Sequence, residues 1–193
     1  MGTSPVATQA AELHPRIREL IDYLAMHRRA LQEAVASVPA ELRERKPGDE
    51  VWCVAEVLEH LSLIEQRVAA LLTVQVTAAR ASGVGPDLET NSVVASFVNP
   101  ANVVDRGRKI EAPKPVRPSG ALGTAASVQA LEQSRVAMLQ ALRNANGISL
   151  EKLTQTHPVL GTLNMYHWIV AAGLHDTRHA AQIREIGQTL AAS

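Results

Sequence analysis

A chain of 193 residues is long enough to bury a substantial core as one domain, and its 19 basic residues are matched by 19 acidic ones. That balance leaves no cationic field for nucleic acid and no acidic tail. The single cysteine, Cys53, excludes an intrachain disulfide, and with no stretch near the roughly 18 apolar residues of a membrane span or the pattern of a secretory leader, the expectation is a cytoplasmic protein. Residues 1–6 resemble a lipid-attachment start, but Val6 stands where Ser or Thr is required.

Apolar positions Leu13, Ile17, Leu20, Ile21, Leu24, Leu31 and Val35 form one stripe over about 8–38, with arginines and glutamates opposite. This spacing predicts a first helix that begins properly near His14 because Pro15 follows. Pro39 and the run Arg45-Lys46-Pro47-Gly48-Asp49 end it. A second helix is expected over about 51–80, its stripe being Val54, Val57, Leu58, Leu61, Ile64, Val68, Leu71 and Leu72; His60, between Val57 and Ile64, faces inward with them. Residues 82–123 hold five of the ten prolines and five of the eleven glycines, which predicts a wandering connection across the bundle. A third helix over about 124–145 runs through Val128, Leu131, Val136, Leu139 and Leu142 and closes at Asn146-Gly147. The stretch 148–163, with His157-Pro158 and Gly161, leads into a fourth helix over 164–190, for which Asn164 is the expected N-cap.

That last helix carries the residues around which the functional reading is built. Trp168, Ala171, Ala172, Ile183, Ile186 and Leu190 mark its inner face, and His175 and His179 share the register, one turn apart. Two bare imidazoles on a core-facing stripe are costly to bury unless something binds them. With His60 they make a three-imidazole set suited to zinc, nickel or iron, and three protein ligands leave a position for water or substrate, as in catalytic sites. The expected fold is all-α, a four-helix bundle of one domain, with a long Pro/Gly-rich crossover between its second and third helices.

The strings KPGDEVWCVAEVLEHL at 46–61, IEAPKPVRPSG at 110–120 and HPVLGTLNMYHWIVAAGLHDTRHAAQI at 157–183 resemble motifs of the DinB-like superfamily. The resemblance implies an up-down-down-up bundle, a divalent metal on a histidine triad and, in many relatives, a homodimer. Its better-described members include thiol-dependent transferases that join low-molecular-weight thiols to electrophiles. The family motif has serine where this chain has Cys53, so Asp49 or Glu50 is expected to cap the second helix instead.

Around the triad, Asp176 either orients an imidazole or faces solvent beside Arg178 or Arg184, the reading favoured by sequence. Gln182 either reaches the site or bonds backbone. Lys114 and Arg117 in the crossover are candidates to meet an anionic substrate group. Cys53 reads as a small apolar residue rather than a nucleophile, His157 as a capping or packing residue, and His14, His27 and His167 as outer surface. Asp176 and His179 mimic one Glu-x-x-His element of a di-iron site, but the other carboxylates such a site needs are missing from the inner faces. Val38, Met26 and Tyr23 off the main face of helix one point to a homodimer. The reading is a metal-dependent thiol transferase or hydrolase acting on a small molecule, with no nucleic-acid or membrane partner. The alternative is a non-catalytic metal-stabilised binding or scaffold protein.

Overall fold

The computed structural model describes residues 12–107 and 111–192. The lipid-attachment start, the turn expected from residue 8 and the family match at Ile110 lie outside them. The described residues are mostly helical: α1 (Pro15–Ala36), α2 (Val54–Ala81), the short α3 (Ala101–Val104), α4 (Thr124–Asn144) and α5 (Met165–Ala191), with a two-stranded hairpin of β1 (Thr154–His157) and β2 (Gly161–Asn164) before the last.

Each long helix starts where its orphaned amides find an acceptor. Pro15 opens α1, and the Nδ1 of His14 accepts from the Arg16 amide at 3.3 Å. At α2 the cap is Cys53 itself; Asp49 and Glu50 stay exposed. The Glu56 carboxylate, one turn in, accepts the Cys53 amide at 2.9 Å, the reciprocal half of a capping box. Gly123 precedes α4 and has no side chain to offer, so Glu44, from the α1–α2 connection, accepts the Thr124 amide at 2.7 Å. Asn164 caps α5 as expected, accepting from the His167 amide at 2.9 Å.

The mostly helical structure is consistent with the all-α expectation, and the short hairpin is its one addition among the described residues. Thr154 pairs with Asn164 and His157 with Gly161 in antiparallel register, and the Nδ1 of His157 accepts the Val159 and Leu160 amides at 3.1 and 3.2 Å. Gly161 takes φ 76°, a conformation that strains any residue with a Cβ. Both strands are short, polar and largely exposed, so no alternation betrays them; only the threonines carry a strand preference.

The crossover is pinned rather than free-running. The Asp87 carboxylate accepts from Arg16 and from the Tyr166 hydroxyl, both at 2.8 Å, while Glu19 accepts the Val93 amide at 2.9 Å. Val93, Phe97 and Val116 are buried along its course. Near its end, Glu59 of α2 accepts the amides of Ser119 and Gly120 at 2.9 and 3.3 Å.

Partners along α1 and α5 advance together: Arg16 over Tyr166, Tyr23 beside Gly173, Arg28 on Asp176 and, two residues past the end of α1, Val38 beside Gly187. On α2 and α4 they do so too, from Glu65 with Ser134 to Arg80 with the Asn144 carbonyl. Between α1 and α4 the order reverses: Arg28 donates to the Leu131 carbonyl, and Arg135 to that of Leu24.

The apolar interior falls into two clusters. One gathers Leu20 and Leu24 of α1, Leu72 of α2, Met138 and Leu142 of α4 and Ile169 of α5. The other gathers Leu31, Val57, Leu58, Leu131, Ile183 and Leu190. Between them lies a charged layer with one residue from each long helix. Arg28 bonds Asp176 at 2.9 Å and Glu65 at 3.0 Å; Arg135 bonds Asp176 at 3.0 Å and also pairs with Glu65. Ser134 adds a hydroxyl to Glu65 at 2.7 Å.

Three sequence expectations are corrected here. Arg16 and Arg28 are buried at 4% and 8% exposure instead of lining the solvent face of α1, because each meets a buried carboxylate. Val136, assigned to the stripe of α4, is 69% exposed, and Met138 takes the inner position. Val38, offered as a dimer contact, is fully buried in the second cluster, and Tyr23 packs against Gly173 and His27. Of that trio, Met26 is the exposed one. Among the described residues no helix is long and apolar enough to cross a membrane.

Candidate metal centre

His60 lies on the second turn of α2, and His175 and His179 lie one turn apart near the middle of α5. Packing of the two helices puts one possible ligand nitrogen from each ring within 4.8 Å of the other two. The His60 ring centroid is 5.4 Å from that of His175 and 5.1 Å from that of His179. The two α5 rings are stacked at 4.5 Å, their Nε2 atoms 2.7 Å apart. The structure therefore brings together the three histidines picked out by spacing.

Each ring has neighbours that set its angle. His60 Nδ1 donates to the Val116 carbonyl at 2.6 Å, and Trp52 packs on the ring at 4.9 Å between centroids. His179 Nδ1 donates to Gln182 Oε1 at 2.7 Å. Gln182 thus reaches the site. The sequence did not anticipate Val116: a backbone carbonyl in a Pro-rich connection leaves no signature in residue identity. Trp52 stood in the quoted motif, just before the start of α2, without a reason to single it out.

Burial keeps the rings uncharged. It lowers the pKa of His60, takes that of His175 down to about 3 with help from His60, Arg178 and His157, and holds that of His179 well below the ordinary histidine value, with His175 and His60 adding to the effect. The donor set is thus three neutral imidazoles with lone pairs available at neutral pH, the form in which histidine binds metals. By that chemistry the residues present fit a divalent ion.

The other candidates sort differently. Asp176 is not exposed, and at 3% exposure it bonds Arg28 and Arg135 rather than any of the three converging imidazoles. Burial pushes its carboxyl upward while both guanidiniums oppose the shift. Its expected partner Arg178 instead donates to the carbonyls of Val103 and Asp105. Arg117 is exposed and folded back on Glu111 and the Ala112 carbonyl, and Lys114 is exposed in the turn Lys114–Val116 whose last residue meets His60. Burial pushes the Cys53 thiol up, so it is protonated at neutral pH, in keeping with a packing role. His14 is a cap. His27 and His167 are half-buried rather than outer surface: one bonds Thr177 at 2.5 Å beside Tyr23, the other Ser96 at 3.1 Å beside Phe97.

Over 151 residues, 78% of this chain and 86% of the relative, the sequence is 27% identical to the uncharacterized protein YuaE of Bacillus subtilis (strain 168). No solved structure matches the chain. The profile of the DinB superfamily matches residues 7–183, which takes in α1 to α4, α5 as far as Ile183 and all three converging histidines, and the chain belongs to that superfamily.

Proposed function

We propose that His60, His175 and His179 hold one divalent metal ion, zinc, nickel or iron, at the centre of a thiol-dependent transferase or hydrolase for a small molecule. The observation that carries this reading is the convergence of three neutral imidazoles from two helices within 4.8 Å. Such an ion would supply Lewis acidity, depressing the pKa of a thiol or water and polarising an electrophile. The protein's own part is to hold the rings: Val116 and Gln182 orient two of them, and Trp52 shields His60 from one side. Lys114, exposed in the turn that ends at Val116, is the cation we assign to an anionic group of the substrate; Arg117 is already engaged by Glu111.

The surrounding architecture is read as one domain, an up-down-down-up bundle of α1, α2, α4 and α5. Support comes from the partners that advance together on α1 and α5 and on α2 and α4, and in opposite order between α1 and α4. We also propose a cytoplasmic setting, a reading that the single buried thiol supports. A homodimer joined through a C2 helix face remains the assembly we propose, now with Met26 as its exposed apolar contact. Light scattering at micromolar concentration that returned a single 20.7 kDa chain would refute it.

The test of function is metal content and turnover together. Protein purified without a metal-affinity step should carry or accept one equivalent of a divalent ion, and His60→Ala should lose it while staying folded. Conjugation of low-molecular-weight thiols to electrophiles should require the loaded protein. Stoichiometric metal with no turnover on thiol or ester substrates would favour the scaffold reading; full metal retention by His60→Ala would defeat the site.

A further inference from the structure

Two of the three rings face oxygens that can only accept. Val116 O lies 2.6 Å from His60 Nδ1, and Gln182 Oε1 lies 2.7 Å from His179 Nδ1. A carbonyl or amide oxygen carries no hydrogen, so each Nδ1 must be the donor, and a neutral imidazole has one N–H to give. The Nε2 atoms of His60 and His179 are then bare lone pairs. His175 Nε2 is only 2.7 Å from His179 Nε2, a separation that two lone pairs would not hold, and so the hydrogen between them belongs to His175.

We propose that the metal-free site holds a mixed set of tautomers, Nδ1–H on His60 and His179 and Nε2–H on His175, and that Gln182 is the positioning residue that sets this asymmetry. Loading then changes one ring. His175 gives up the proton on Nε2 to solvent, its Nε2 lone pair becomes available to the ion, and Nδ1 takes a proton from solvent in return. The proton count is unchanged, and nothing is oxidised or reduced. Two ligands are prepared in advance and the third acts as the latch. Without Gln182, His179 has no reason to prefer one tautomer, and either α5 ring can donate to the other.

The part concerning loading rests on the metal reading proposed above; the metal-free tautomers do not. Long-range 1H–15N NMR of imidazole nitrogens in metal-free protein, assigned with His60→Gln, His175→Gln and His179→Gln, should show a protonated Nδ1 on His60 and His179 and a protonated Nε2 on His175. Addition of Zn2+ should move His175 alone to the pattern of the other two, with no net proton release into a weak buffer near pH 7.5. Gln182→Leu should scramble the His179 tautomer and weaken Zn2+ binding by roughly 10- to 100-fold, the usual cost of losing such a partner; Gln182→Glu, which keeps an acceptor oxygen, should restore both. A metal-free His179 protonated on Nε2, or a folded Gln182→Leu with unchanged tautomers and Zn2+ affinity, overturns the proposal. Should Zn2+ fail to bind at all, the metal reading falls while the metal-free spectra still decide the tautomers, as they also do if Gln182→Leu does not fold.

Discussion

Asp176 sits on α5 between two proposed ligands and points away from both. Its carboxylate meets Arg28 and Arg135 while His175 and His179 face α2, so the residue fixes the rotation of α5 about its axis. Two guanidiniums and two carboxylates make the layer electrically neutral, which suits charges removed from water only because every member is paired. Removal of one partner strands the others. Asp176→Ala should therefore cost about 3 to 5 kcal/mol, the usual penalty for an uncompensated buried charge, read as a lower urea midpoint with little change in slope. A loss under about 1 kcal/mol would mean that water reaches the layer and the pairing is cosmetic. The charged layer was legible in principle: Arg28 stands four after Leu24 and three before Leu31, and Glu65 and Arg135 likewise interrupt apolar stripes. The prior that arginines on an amphipathic helix face water hid it.

At the scale of elements, the four long helices and the inward set of His60, His175 and His179 could be read from periodicity because packing of one apolar face is what stabilises a helix. What could not be read was whatever depends on backbone groups meeting across long sequence separations: the Val116 carbonyl on His60, the Glu59 carboxylate on the end of the crossover, the polar hairpin. Another such feature is the close approach of α1 and α5. A Cβ added to Gly173 would lie 2.6 Å from Tyr23 Cε1, and one added to Gly187 would lie 2.9 Å from Val38 Cγ2. Alanine is the better helix former by about 1 kcal/mol, so propensity alone predicts that Gly173→Ala stabilises. Overlap with a ring wedged against His27 should win, because overpacking typically costs about 1 to 3 kcal/mol. The expected result is a melting temperature lower by a few degrees, at roughly 2 to 4 °C per kcal/mol for a chain of this size. An increase would show that Tyr23 swings out at little cost and that the glycine is not needed for the approach.

Over the whole molecule, the protein's response to acid should reflect the imidazoles that its packing keeps from charging. In the metal-free fold His60, His175 and His179 all have pKa values below the ordinary 6.5, His175 near 3. Below about 6.5 the unfolded chain therefore binds protons that the folded chain refuses, and stability must fall as the pH falls. Above 6.5 both states hold these rings neutral and the contribution is constant. Each such ring can remove up to about 1.4 kcal/mol per pH unit inside its window. Other groups also respond to acid, His27, His157 and His167 being lowered too and Asp176 raised, so the comparison that isolates the triad is between the wild type and a His60→Gln/His175→Gln/His179→Gln variant. The variant's urea midpoint relative to wild type should be constant from pH 8 to 7 and rise as the pH drops from 6.5 to 5, because glutamine has no proton to take up. Saturating Zn2+ should raise the wild-type midpoint, since an ion bound only by the folded state stabilises it by mass action, and should leave the variant unmoved. A difference between the two proteins that stays level from pH 7.5 to 5 would mean that the three rings are as ready to charge in the fold as in the unfolded chain, and the neutral triad would have to be abandoned.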